Sequence, residues 1–330
     1  MKKINSFLKI FLPLFIGIIF IYLTYNSTSY EERKLIFYNI KNANYSFVIL
    51  SILLGFLSHL SRAYRWKFLL APMGYSPKYV NLSSAVMISY FANLGVPRSG
   101  EILRATTLST YEKIPFENAF GTIVTERVID LLILICFVLL ALFIQYDLIL
   151  NIINEKKISF ATILTTISVF IIFFMIVGFF LKKINNRITI RIKKIFKGLV
   201  KGILTIKSIE NKSAFIFHTI FIWVMYFAMF YVIKWSLPET TILGFDSLLP
   251  AFVVGGLTIS TTNGGIGIYP FSVAMILTSF NISNESGLSF GWIIWTSQTI
   301  MITVFGSLSF FILPLVNSKK IRKNFFLWKK

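Results

Sequence analysis

This sequence predicts an all-α integral membrane protein, and three observations carry the expectation. Of its 330 residues, 56% are hydrophobic and 35 are Phe. Mean hydropathy is +0.75, whereas soluble domains are about 45–50% apolar. Several apolar runs approach or exceed the roughly 20 residues that cross a bilayer. Basic residues gather at the ends of those runs: ten of the 33 Lys and Arg lie between Lys182 and Lys212, and six between Lys319 and Lys330. That is the positive-inside pattern. The net charge of +20 therefore orients the chain in a membrane and does not point to nucleic acid.

Taken in order, full spans are expected at about Phe7–Tyr25, Tyr45–Leu69, Phe116–Tyr146, Ile158–Leu181, Ser213–Trp235 and Leu288–Val316. The N-terminal run resembles a signal peptide, but no small-x-small cleavage site follows it, so it reads as a retained first span. With both basic clusters inside, the connections near 26–44, 147–157 and 236–246 fall outside, and both termini are cytoplasmic. The single cysteine, Cys136, lies in an apolar run, so no disulfide or Cys-based metal site forms within the chain. His59 and His218 are isolated and expected to be packed against neighbouring helices. Neither a metal nor a cofactor is expected.

Two apolar segments do not fit as spans. Asn81–Leu94 would make a helix of only about 21 Å, and Gly95 and Pro97 break it. Charge requires it to begin and end inside. Ser247–Phe280 is interrupted by TTNGGIGIYP and must begin and end outside. Both read as re-entrant hairpins, at about 81–109 and 247–280. The order span, span, hairpin, span thus occurs twice. Three spans per half make the second half enter the opposite way, so six full transmembrane helices and two re-entrant hairpins form an inverted-topology repeat. The first half-repeat covers 1–146 and the second 147–316, including a basic amphipathic cytoplasmic segment at 182–212. A basic tail, 317–330, follows. Broken helices at matching positions of such halves mark a midplane binding site.

The stretch NLGVPRSGEILRATTL carries the first candidate site. Irregular backbone in a membrane must line protein or water, so Gly95, Pro97 and Gly100 place a hairpin tip at a cavity open to the cytoplasm. Gly95 permits unusual dihedrals, and Pro97 favours a helix start with a helix over Arg98–Ser109. Arg98, Glu101 and Arg104 then form one broad stripe, suited to an anionic group such as phosphate. A purely structural use, with the arginines at the interface or paired to Glu101, competes with that reading. At the other tip, Asn263, Gly264, Gly265 and Gly267 admit either a ligand or a close helix approach. Glu126, Arg127 and Asp130 share one helix face at the margin of the core, where ionisable groups face a bundle interior. They read equally as a self-satisfied network and as a functional one. Arg62, Arg65 and Lys67 read as interface anchors rather than a site. The 182–212 segment is expected to lie on inner-leaflet anionic lipid.

SYFANLGVPRSGEILRATTL, FGTIVTERVIDLLIL and TTNGGIGIYPFSVAMIL together resemble the lysylphosphatidylglycerol synthase transmembrane family, also called flippase-like domain proteins. The likeness covers nearly the whole chain, and P-x-x-G-E-x-x-R with E-R-x-x-D is specific as a pair. In fused relatives this domain precedes a soluble aminoacyl transferase and moves aminoacylated phosphatidylglycerol between leaflets; other relatives are linked to glycosyltransferases. This chain stops after its last span, so the resemblance implies a stand-alone form without that transferase. It departs from the family's P-G-G-x-G: Asn263 stands at the Pro, and no acid follows.

The reading that results is a plasma (inner) membrane translocase for an anionic phospholipid or lipid-linked envelope precursor. Arg98, Glu101, Arg104 and Arg127 would hold the head. Without an ATP-binding motif, movement would be downhill or ion-coupled, with Glu101, Glu126 and Asp130 as proton carriers. The alternatives are a membrane-embedded lipid-linked transferase and a non-transporting partner of an envelope glycosyltransferase.

Overall fold

A computed structural model of the protein describes residues 28–96, 98–146, 208–262 and 264–327, together with 18, 21–23, 25 and 26; side chains are described throughout these ranges except at 261 and 319–327. Among the described residues every regular element is helical. Four helices are long and apolar enough to cross a membrane: Tyr45–Met73, Phe116–Ile144, Lys212–Ser236 and Asn284–Ser318. These answer to four of the six expected spans. The spans expected at 7–25 and 158–181 and the amphipathic segment at 182–212 fall wholly or almost wholly outside the described residues. The chain divides into two compact units, Met1–Ile123 with Ile209–Lys330, and Val124–Ser208.

The first unit begins with α1, Tyr30–Lys41, in a stretch expected only as a connection. A capping box builds it: the Ser29 hydroxyl accepts from the Glu32 amide, while the Glu32 carboxylate accepts from the Ser29 amide. α2, Tyr45–Leu70, starts at Asn44, whose side chain accepts from the Ser46 amide. Two helical hairpins follow in the chain. α3, Tyr79–Gly95, returns as α4, Ser99–Glu112. α7, Phe245–Thr261, returns as α8, Ile268–Thr278. Both breaks fall where glycine and proline predict them, and the hairpins run a few residues beyond the expected 81–109 and nearly match 247–280. Between them lie α5, Phe116–Ile144, which crosses from the first unit into the second, and α6, Lys212–Tyr231. α9, Asn284–Leu327, ends the described chain.

α9 orders the two hairpins. Near its start, a Cβ on Gly287 would meet Ala274 of α8 at 2.9 Å, and one on Gly291 would meet Pro270 at 2.5 Å. At the α7–α8 turn, the Trp295 indole donates to the Gly264 carbonyl at 2.7 Å. Further along, Gly306 faces Met87 and Phe91 of α3, with the Met87 carbonyl 3.1 Å from a built Cβ. Near the end, Asn317 bonds Asn81, close to the start of α3. The second hairpin thus lies along the first part of α9 with its tip toward the middle. The first hairpin lies along the later part with its tip also toward the middle. The tips touch, since a Cβ on Gly264 would sit 3.5 Å from Leu94. Thr303 lines a pocket at the first tip and is two residues from Met301, the midpoint of the 35-residue span Asn284–Ser318.

Around the second hairpin the core is aromatic and aliphatic: Phe230, Leu248, Tyr269, Val273 and Phe290 are buried together. Small residues set the helix spacing elsewhere. Ser51 of α2 donates to the Met229 carbonyl of α6 at 2.7 Å, and Gln298 of α9 reaches the Ser51 hydroxyl at 3.3 Å.

Candidate functional site

The first tip is built differently from the sequence expectation. Gly95 closes α3 in ordinary helical geometry, and its Cβ direction is open space. The left-handed residue is instead Arg98, at φ 61° and ψ 14°, which caps α4. Pro97 lies outside the described residues, and α4 starts at Ser99 rather than Arg98. Gly100 is the glycine the packing needs, because a Cβ there would overlap the Ser89 carbonyl of α3. Two of the first amides of α4 are engaged: Ser99 donates to the Val96 carbonyl at 3.1 Å and Gly100 to the Asn93 side chain at 2.8 Å. The Arg98 guanidinium is exposed and makes no hydrogen bond or ion pair among the described residues.

The stripe Arg98, Glu101 and Arg104 does not survive as a shared face. Arg98 lies outside the helix in left-handed geometry, so it does not extend the face that Glu101 and Arg104 define. Arg98 is exposed and Glu101 half-buried, whereas Arg104 is 1% exposed, with its guanidinium carbon 3.9 Å from the centre of the Trp66 ring. Trp66 is held in turn by its indole donating to Thr122 at 2.8 Å.

That contact adjoins Arg62 and Arg65, which sequence alone presents as interface anchors. Arg62 and Arg65 of α2 are 2% and 0% exposed. Arg62 donates to the Tyr226 hydroxyl at 3.3 Å, Tyr226 shares a 3.0 Å hydrogen bond with Tyr90, and Arg65 donates to Thr219 at 3.4 Å. His59, one turn before Arg62, lies against the Tyr90 ring at 4.3 Å between centroids, and His218 bonds the Ser61 hydroxyl at 2.8 Å. Both histidines are packed as expected. Lys67, in contrast, is exposed on α2. The signal for the cluster was the spacing His59, Arg62 and Arg65–Trp66, one face of a helix. Burying a guanidinium carries a desolvation cost of several kcal/mol, and three of them, Arg62, Arg65 and Arg104, are buried in this unit.

In the second unit, Glu126 is fully buried, Asp130 is 9% exposed, and Arg127 lies to their side. Arg127 approaches Asp130 at 4.0 Å with its own side chain 40% exposed. At the second tip, Gly264, Gly265 and Gly267 all take positive φ, at 65°, 76° and 71°, a backbone region that favours glycine. The Gly265 amide donates to Thr262 at 3.1 Å. Asn263 lies outside the described residues.

Beside the first tip is an open, mainly apolar pocket of about 750 Å³, lined by Phe91, Gly95, Val96, Ser99, Leu103 and Phe310 among others.

Comparison with known proteins points to a membrane-protein family. The family model described as the lysylphosphatidylglycerol synthase TM region matches residues 10–306. A stretch of 101 residues, 30% of this chain, is 39% identical to a UPF0104 membrane protein of Methanocaldococcus jannaschii. Another of 72 residues, 22% of the chain, is 36% identical to the glycosyltransferase AglD of Haloferax volcanii. The matches span 30% and 12% of those two relatives' own lengths. No solved structure matches.

Proposed function

The chain belongs to the family of the lysylphosphatidylglycerol synthase TM region, and from that premise we propose that this multi-pass membrane protein moves a phosphate-bearing lipid between leaflets of the plasma membrane. In this reading the two hairpins are re-entrant, one from each side, within an inverted repeat of six spans. Both termini are cytoplasmic, and the segment at 182–212 rests on anionic inner-leaflet lipid. The observation that carries the reading is the meeting of the tips, Gly264 against Leu94, with exposed Arg98 four residues from that contact and near mid-length of the α9 span. A charge at the bilayer centre is costly unless it faces water or a counter-ion. A lipid phosphate passing that level supplies the counter-ion.

The arginines divide the work. Arg98 contacts the head, while Arg62, Arg65 and Arg104 are the buried arginines of the same unit. Glu126, Arg127 and Asp130 form a polar group of the second unit, and Glu101, Glu126 and Asp130 are the carboxylates available for proton coupling. The test is headgroup accessibility of a labelled phosphatidylglycerol in proteoliposomes of defined orientation. Arg98→Ala is expected to slow transport about tenfold or more, since a charged hydrogen bond contributes about 1.5–3 kcal/mol. Arg98→Lys is expected to retain part of it. Transport by Arg98→Ala at the wild-type rate sinks the proposal.

The likeness to a glycosyltransferase favours one second reading, in which the chain serves an envelope glycosyltransferase as a non-transporting partner. Undetectable transport by wild-type protein, together with recovery of a stoichiometric complex with such an enzyme, would select it.

A further inference from the structure

The pocket beside the first tip has two walls. Phe91, Gly95, Ile102 and Leu103 of the first hairpin form one, and Thr303 and Phe310 of α9 form the other. The walls meet where the Phe91 and Phe310 rings lie 6.1 Å apart. Polar side chains are nearly absent, and Ile102, Leu103 and Thr303 are exposed, so the pocket opens sideways on the surface of the unit. Arg98 stands at its rim, between the lining residues Val96 and Ser99. An apolar trough whose lining residues flank an exposed arginine, unpaired among the described residues, matches an amphiphile with an anionic head and a long hydrocarbon tail. It does not match a free phosphate, which would leave the trough empty, or a neutral hydrocarbon, which would leave the cation bare.

We infer that this trough is a lateral berth for the acyl chain of the anionic lipid whose head meets Arg98. The inference rests on the proposed lipid reading and adds to it the route of the tail: the head turns inside the protein near mid-depth while the tail stays in contact with the hydrocarbon phase. Carrying the tail through a charged interior would expose its apolar surface to a polar environment at a cost that grows with each CH₂, and an open-sided trough removes that barrier. Gly95 determines the size of the berth. Its backbone is ordinary helix and no atom lies within 4 Å of a Cβ built there, so a larger side chain would occupy the trough without disturbing the fold.

The experiment uses full-length protein in vesicles doped with phosphatidylglycerol carrying a diazirine in its acyl chain, or with phosphatidylcholine carrying the same chain. Labelled residues are mapped by mass spectrometry. Phosphatidylglycerol is expected to label Ile102, Leu103, Thr303 and Phe310 about tenfold more than phosphatidylcholine. Gly95→Leu, from one wall, and Thr303→Phe, from the other, are each expected to abolish that excess at an unchanged melting temperature. Arg98→Ala is expected to reduce it about tenfold. Equal labelling by both lipids, unaffected by either plug, would make this an ordinary lipid-facing surface and overturn the inference. Loss of transport in Arg98→Ala with wild-type labelling in both plugs overturns the berth but leaves the head reading. Labelling lost in both plugs but unaltered in Arg98→Ala keeps the berth and removes the head reading.

Discussion

Asn81 and Asn317, separated by 236 residues in the chain, exchange both amide hydrogen bonds: the Asn317 side chain donates to Asn81 at 2.8 Å and Asn81 donates back at 3.2 Å. Both are buried, at 0% and 2% exposure. The Glu112 carboxylate closes the group, accepting from Asn81 at 2.5 Å and from the Lys78 amide at 2.9 Å. The open ends of α3 and α4 are thereby tied to the late part of α9. Asn317→Leu leaves the Asn81 side-chain oxygen without its donor and one of its amide hydrogens without an acceptor, the other still bonding Glu112. It is expected to cost about 1–3 kcal/mol, read as a lower melting temperature in detergent. Unchanged melting would mean that water replaces the pair.

Gly95 and Gly100 have opposite roles in one hairpin. Gly95→Ala is expected to be neutral or stabilising by up to about 1 kcal/mol, because alanine favours a helix and meets nothing. Gly100→Ala must push α4 away from the Ser89 carbonyl. Overpacking of this kind costs about 1–3 kcal/mol. Melting temperatures of the two variants, purified side by side, check the contrast.

Arg98 and Arg104 separate folding from function. Arg104→Ala strips a buried cation from the face of Trp66. It is expected to lose about 2 kcal/mol or more of stability, whereas Arg98→Ala leaves stability unchanged. Denaturation followed by Trp fluorescence distinguishes them, and equal destabilisation by both would contradict the different burial of the two side chains.

Glu239, in the short turn Glu239–Ile242, accepts from the Ser283 amide and hydroxyl, each at 2.6 Å, just before α9 begins. Partial burial alone would raise its pKa, but the hydrogen bonds from Ser283 and Ser286 outweigh it and hold the carboxyl below the ordinary 4.5. A carboxyl with a depressed folded pKa contributes stability above its unfolded pKa and loses it as pH falls through the folded one. Melting temperature is therefore expected to decline from about pH 4.5 downward through the lowered value. Glu239→Gln should be less stable at neutral pH and lose this component of the acid sensitivity.

Much of the architecture is legible in the residues. Hydropathy locates four described spans, and GVPRSG and TTNGGIG locate the two turns, because glycine and proline leave few other conformations. The conformational detail was less legible. The left-handed residue is Arg98 and the close approach belongs to Gly100, a division that depends on how α3 faces α4. Arg62 and Arg65 resemble anchors because a charged residue near a span end ordinarily reaches water. Only the positions of α4 and α6 reveal that theirs do not. α1 was within reach, since Ser29-x-x-Glu32 is a capping signature, but its sparse apolar residues masked it. The candidate site was therefore named in part: Arg98 stands at the tip, while Arg104 joins a cation–aromatic group whose other members are read from packing alone.

The 35-residue span on which both hairpins lie would measure about 52 Å as a straight helix, against a hydrocarbon thickness of about 30 Å. Such an excess is relieved by tilting, protrusion or local thickening of the bilayer. Because Gly291, Trp295, Gly306 and Asn317 attach both hairpins to this one helix, tilting it swings the two together and leaves their tips in register. Membrane thickness then acts on the protein as an inclination, and acyl-chain length in the host bilayer becomes a means of turning Arg98 relative to the membrane normal without separating Leu94 from Gly264.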